Sequence, residues 1–254
     1  MHNKFFSFVR EIFHVPHGDT PNTFFLNDGR LENEAIDYSR LFRSVEHGII
    51  KWSHYPDIYE ELFRKFRKRK NLRVLEIGVQ FGGSLELLHR YFDKSALIFG
   101  VDIDPRCSQL NEAGFNVRIG SQTDERFLSS VVREMGGVDI IIDDGSHNSK
   151  HQKISFERLF PLLNEGGIYV VEDLEHSYFR AQRGYSFLPF TFMNYAKRST
   201  EELNKHFRSY RKFGKLKGIQ DQLWSITFYS SVIVFEKRSR HFPKIIRSGL
   251  HDWQ

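Results

Sequence analysis

A chain of 254 residues, 40% hydrophobic and 27% charged, can bury a substantial core without disulfides or metals and falls outside the disordered and collagen-like ranges. Thirty-seven Lys and Arg against 32 Asp and Glu leave a net charge of +5, with 12 His uncounted, so an acidic partner is expected. The single cysteine, Cys107, excludes an internal disulfide framework and a cysteine-based zinc site and suits a reducing compartment.

No uncharged apolar run reaches the roughly 18 to 20 residues of a membrane span, and a cytoplasmic location is expected. Near the start, Phe5, Val9, Ile12 and Phe13 fall at helical spacing, while Arg10 and Glu11 interrupt any signal-peptide core. The resulting short amphipathic helix within Met1 to Gly18 suits docking on its own domain, on a second subunit of a homo-oligomer, or on a membrane surface as a peripheral contact. Residues 19–37, rich in Asn, Asp, Gly, Thr and Pro, read as a loop. Ile58, Leu62 and Phe66 predict a second helix that ends in the basic run Arg64 to Lys70, where cations suit the helix dipole. Residues 1–70 are thus expected to be a helical extension ahead of a main domain, 71–254.

From residue 72 short apolar runs alternate with helical segments, the pattern of βαβ units and a parallel sheet. Strands are expected at Leu72 to Ile77, Leu97 to Val101, Asn116 to Ile119, Val138 to Ile142 and Ile168 to Val171, with helices at Ser84 to Phe92 and Lys150 to Leu163 between them. Leu223 to Phe235, divided at Ser230 and Ser231, predicts a closing antiparallel pair. The fold class is a doubly wound, mostly parallel α/β sheet. Residues 178–217 hold ten Lys or Arg against two Glu, and ten aromatics. An insertion there follows the fifth strand, above the sheet edge where open α/β sheets bind ligands, and reads either as a substrate lid or as a small core built on Phe187, Phe190 and Phe192.

Two motifs point to a nucleoside-bearing ligand. Glu76-Ile77-Gly78-Val79-Gln80-Phe81-Gly82-Gly83-Ser84 runs from strand end to helix start, where glycines permit a tight turn and free amides can hold an anion. Gly100-Val101-Asp102-Ile103-Asp104 then places an acid at the end of the second strand, about where ribose hydroxyls are taken. On these residues the chain resembles the class I S-adenosylmethionine-dependent methyltransferases. The resemblance implies that Gly78 and Ser84 approach the methionine part of the cofactor, that Asp102 holds the ribose, and that Glu76 supports the loop. It places Ser121 and Gln122 on the adenine side and counts Asp143 among the cofactor-binding residues.

A third motif carries the chemistry. Asp143-Asp144-Gly145-Ser146-His147 follows the fourth strand and Glu172-Asp173 the fifth. Neighbouring parallel strand ends lie about 5 Å apart, so Asp144, Glu172 and Asp173 can converge. Clustered carboxylates repel without a cation among them, and a hard divalent ion such as Mg²⁺ is the natural partner. His147 then stands close enough to act as general base.

Asp143-Asp144-Gly145-Ser146-His147 with His151 and Phe156, followed by Gly166 to Leu174 and Ser177-Tyr178, resembles the metal-dependent sugar O-methyltransferases of macrolide biosynthesis. By that resemblance Asp144, Glu172 and Asp173 are the Mg²⁺ ligands, His147 is the base, and the acceptor is a sugar or glycoside hydroxyl. Ser121 stands where these metal-dependent sugar O-methyltransferases usually carry an acid before the Gln. Phe179-Arg180-Ala181-Gln182-Arg183 replaces the Trp-Pro and paired glycines of the macrolide enzymes, so a macrolide acceptor does not follow. Tyr178, Arg180 and Arg183 instead suggest an anionic acceptor, since Arg pairs well with phosphate. The competing readings are an RNA or catechol-type methyltransferase and a cofactor-binding subunit without turnover. Nucleic acid is the less expected partner.

Overall fold

The structure, a computed structural model, describes residues 38–178, 190–207, 219, 221–246 and 248. The described residues belong to one compact unit, Ile36–Gln254. The expected helix within 1–18 and the loop at 19–37 lie outside them.

A seven-stranded sheet, ordered β3-β2-β1-β4-β5-β7-β6, organises the fold. Its strands are β1 (Arg73–Ile77), β2 (Leu97–Asp102), β3 (Asn116–Ile119), β4 (Val138–Asp143), β5 (Leu163–Val171), β6 (Leu223–Phe228) and β7 (Ile233–Lys237). The first five are parallel, and β7 joins β5 and β6 antiparallel. The expected fold class is therefore observed, and the strand starts and ends agree closely except at β5. There the polar run Asn164-Glu165-Gly166-Gly167 reads as a turn, yet Leu163 already pairs with Val138 across a register shift.

The helices are α1 (Tyr38–Phe42), α2 (Tyr55–Phe63), α3 (Gly83–Tyr91), α4 (Glu125–Met135), α5 (Ser149–Leu159) and α6 (Phe192–Leu203). Capping explains several of their starts. Pro56 opens α2, where its missing N–H costs nothing. Asp124 accepts from the amides of Arg126 and Phe127 ahead of α4, and Asn148 from those of Lys150 and His151 ahead of α5. The α2 helix stops at Phe63, so the basic run beyond Arg64 lies outside it.

Strand side chains alternate between faces, which divides the core in two. Leu75, Ile77, Ile141, Tyr169 and Val171 pack with α4, α5 and α6, while Val74, Ile140, Ile142, Ile168 and Val170 pack with α1, α2 and α3. On the second face the inward stripe of α2 is Tyr55, Tyr59 and Phe63, all buried, with the Tyr59 and Phe63 rings stacked 4.8 Å apart. The α6 helix, inside the stretch expected to form a lid, contributes Phe192, Tyr195, Ala196 and Ser199 to buried positions on the opposite face. Phe190 is exposed. Phe187 and the flanking segments 179–189 and 208–218 lie outside the described residues. Among the described residues, no helix is long and apolar enough to cross a membrane.

Candidate active site

The C-terminal ends of β1, β2, β4 and β5 carry the motifs. Gly78 turns the chain out of β1 at φ +88°, and its amide donates to the Val101 carbonyl. A Cβ on Gly78 would collide with the Asp144 carbonyl, so glycine is needed here both for its backbone angle and for contact between the two loops. We expect Gly78→Ala to lower stability by on the order of 3 kcal/mol, read from urea denaturation.

Glu76, fully buried, accepts from the Ser84 hydroxyl with one oxygen, while Oε2 is buried without a partner among the described residues. Burial pushes its carboxyl up to about 7, with Lys51 opposing. Asp102 accepts from the Val79 and Gln80 amides at 3.0 and 3.1 Å and from the Asp104 amide at 2.9 Å, and so fixes the loop after β1. Gln122 donates to Asp143 at 3.1 Å and accepts from the Ser146 amide at 2.7 Å, joining the loops after β3 and β4. Ser121 pairs with the Thr123 hydroxyl at 2.8 Å.

Asp143, expected on the cofactor side, lies behind Gln122. It shares the parity of Ile141, points to the α4–α6 face and is fully buried, accepting from Gln122, Ser155 at 2.5 Å and Tyr169 at 3.0 Å. It meets the loop after β3 through Gln122 and the loop after β4 through the Gly145 amide, from which it also accepts.

Asp144 and Glu172 have the opposite parity and meet α2 and the segment before it. Lys51 donates 2.5 Å to Asp144 Oδ2 and 2.7 Å to Glu172 Oε2. Tyr59 donates to Glu172 Oε1, and Tyr55 to Asp173 Oδ1 at 2.7 Å while accepting from the Asp173 amide at 3.1 Å. Burial raises the carboxyls of Asp144 and Glu172 above the usual range, Lys51 pulls both back, and neighbouring acids, Asp173 and Glu76 at Asp144, Asp144 and Asp173 at Glu172, push them up further.

His147 Nε2 lies 3.5 Å from Asp173 Oδ2, and its ring is 4.9 Å from that of His176. Its Nδ1 is buried without a partner among the described residues. Burial lowers its pKa to about 4 against the pull of Asp173, which keeps the imidazole neutral. His147 and Asp173 both hold left-handed backbone, φ +53° and +54°, a strain characteristic of functional sites. Asp144, His147 and Asp173 each offer a ligand atom, all within 4.8 Å of one another. Two carboxylate oxygens and an imidazole nitrogen thus meet around one point, and the repelling acids suit a divalent cation. Glu172, by contrast, is turned to Lys51 and Tyr59.

Tyr178 is half exposed at the end of the turn after β5. Arg180 and Arg183 lie outside the described residues. Lys51, Tyr55 and Tyr59 carry no motif in the sequence, and the aromatic spacing Tyr55, Tyr59, Phe63 with Pro56 at the helix start is the one local signal of which side of α2 turns inward.

Residues 75–174 match the model of a family described as a methyltransferase domain. The chain carries a methyltransferase domain. The 8-demethyl-8-alpha-L-rhamnosyl tetracenomycin-C 2'-O-methyltransferase of Streptomyces olivaceus is 36% identical over 207 residues, 77% of this chain and 54% of that protein. Mycinamicin VI 2''-O-methyltransferase of Micromonospora griseorubida is 34% identical over 157 residues, 59% and 38% of the two chains. Among solved structures, the MycE methyltransferase of the mycinamycin pathway, in complex with Mg and SAH, shares the methyltransferase fold with a TM-score of 0.70 at 28% identity, covering 81% of this chain and 54% of that one. The chain spans about half the length or less of these relatives.

Proposed function

We propose that the protein transfers a methyl group from S-adenosylmethionine to a hydroxyl of a sugar or glycoside, assisted by Mg²⁺ or another hard divalent cation. The observation that carries this reading is the approach of Asp144, His147 and Asp173 to one point, beside a glycine loop whose Glu76 keeps a buried oxygen without a partner among the described residues. That oxygen suits an ammonium donor such as the cofactor's methionine amine. The half-exposed Asp102 suits ribose hydroxyls, and Gln122 with Ser121 the adenine side. The relatives named above methylate glycoside hydroxyls by their names, and the related MycE structures hold Mg and SAH, one of them with mycinamycin VI.

Asp144 and Asp173, which share that point, would hold the cation, with Glu172 joining them in place of its contact with Lys51. Bound there, a divalent cation supplies Lewis-acid help to a hydroxyl losing its proton. His147 accepts that proton on a neutral ring nitrogen. The acceptor oxygen then forms a bond to the methyl carbon as the carbon–sulfur bond breaks, leaving S-adenosylhomocysteine. Tyr55 and Tyr59 hold Asp173 and Glu172 in orientation, and much of the acceleration comes from such positioning. An anionic acceptor is the reading that Arg180 and Arg183 support.

The test is to incubate the protein with S-adenosylmethionine and a panel of charged and uncharged sugars and glycosides, reading mass. A gain of about 14 daltons on an acceptor, abolished by EDTA, is expected from net replacement of hydrogen by methyl. Cofactor binding without methyl gain on any acceptor would favour a subunit without turnover, and methylation confined to RNA would reject the sugar reading.

A further inference from the structure

Lys51 reaches the acidic site from outside the strand-end motifs. The segment before α2 crosses the glycine loop and is tied down at both ends. At one end, Glu86 of α3 accepts from the amides of Glu46 and His47 and pairs with the His47 ring at 2.9 Å. The Gly83 amide donates to the Gly48 carbonyl at 3.2 Å, and a Cβ on Gly83 would stand 2.5 Å from that oxygen. At the other end α2 is anchored by Tyr55 on Asp173 and Tyr59 on Glu172. Between these anchors the Lys51 side chain, 6% exposed, is inserted between Asp144 and Glu172.

Four carboxylates, Glu76, Asp144, Glu172 and Asp173, gather here, and Lys51 is the one ammonium or guanidinium that the described residues bring against them. Its ammonium lies within hydrogen-bond distance of both Asp144 and Glu172, 2.5 and 2.7 Å away. The ammonium thus uses the Asp144 and Glu172 oxygens that a divalent cation would also need. Buried carboxylates left without a cation are costly, so in metal-free protein Lys51 lowers that cost.

We propose that Lys51 is a resident counter-cation that competes with the divalent ion for Asp144 and Glu172 and so sets the metal affinity of the site. The inference rests on the metal-assisted reading above. It makes the site tolerant of metal loss, and it makes metal uptake an exchange of one cation for another rather than the filling of a bare acidic pocket.

Manganese binding to the cofactor-free full chain, followed by the electron paramagnetic resonance signal of free Mn²⁺, tests this together with thermal melting in EDTA and in excess Mn²⁺. Lys51→Met keeps the length of the side chain and removes its charge. The variant should bind Mn²⁺ at least tenfold more tightly than the wild type, and its melting temperature should fall in EDTA and recover with Mn²⁺, with a larger metal-dependent shift than the wild type shows. A variant that is unfolded in EDTA but folds with Mn²⁺ is the same result in stronger form. Equal or weaker Mn²⁺ binding by the folded variant overturns the proposal, as does a variant that stays unfolded in saturating Mn²⁺, because Lys51 would then serve a structural need that the metal cannot meet. Absence of Mn²⁺ binding by both proteins removes the metal reading itself and the role of Lys51 with it.

Discussion

Asp144→Ala is expected to lower methyl transfer by on the order of 10³-fold, the scale of losing a charged group that acts on the developing oxyanion, while melting stays close to wild type. EDTA treatment of the wild-type protein should reproduce the loss. The neighbouring acid should fail differently. Asp143 is fully buried and accepts from Gln122, Ser155 and Tyr169, so Asp143→Ala strands buried donors and should cost about 3 kcal/mol of stability. Circular dichroism melts and turnover, measured on both variants, separate the two roles. Full activity of Asp144→Ala, or of wild-type protein in chelator, would sink the metal reading. A folded, stable Asp143→Ala protein would contradict its role as anchor.

The contrast between these adjacent acids follows from strand parity. Ile140, Ile142 and Asp144 lie on one side of β4 and its continuation, Ile141 and Asp143 on the other, and the same alternation sends Glu172 toward α2. The five parallel strands are legible as near-continuous apolar runs because both faces of such a sheet are buried. The acids at their ends are legible because parallel topology brings neighbouring strand ends together. Lys51 is not, since it meets Asp144 and Glu172 across 93 and 121 residues of chain, and local pattern carries no information about that pairing. Helical spacing likewise draws attention to Ile58, Leu62 and Phe66, whereas Tyr55 and Tyr59 use the same helix to reach the acids. Aromatic residues with a polar tip suit this place: their rings bury in the core while their hydroxyls serve the site. Within 178–217, the core alternative holds at Phe192 of α6, whose ring packs against Phe156 of α5 and Phe235 of β7.

His147→Gln should reduce turnover roughly 10²- to 10⁴-fold, the range of a lost general base, with affinity for S-adenosylmethionine unchanged. Burial keeps His147 neutral, its Nε2 is 3.5 Å from Asp173 and its Nδ1 has no partner among the described residues, so a proton can be taken without first breaking a strong hydrogen bond. Glutamine keeps a polar side chain but cannot take up the proton near neutral pH. A role in positioning alone would leave the variant equally slow on every acceptor. A base, in contrast, matters less as the acceptor hydroxyl becomes more acidic, so the deficit of His147→Gln should shrink steadily along a series of acceptors with falling hydroxyl pKa. Single-turnover rates across that series, with cofactor binding measured by calorimetry, decide between them. A deficit independent of acceptor acidity, or a large loss of cofactor affinity, would remove His147 from the proton-transfer step and leave it as a support for Asp173.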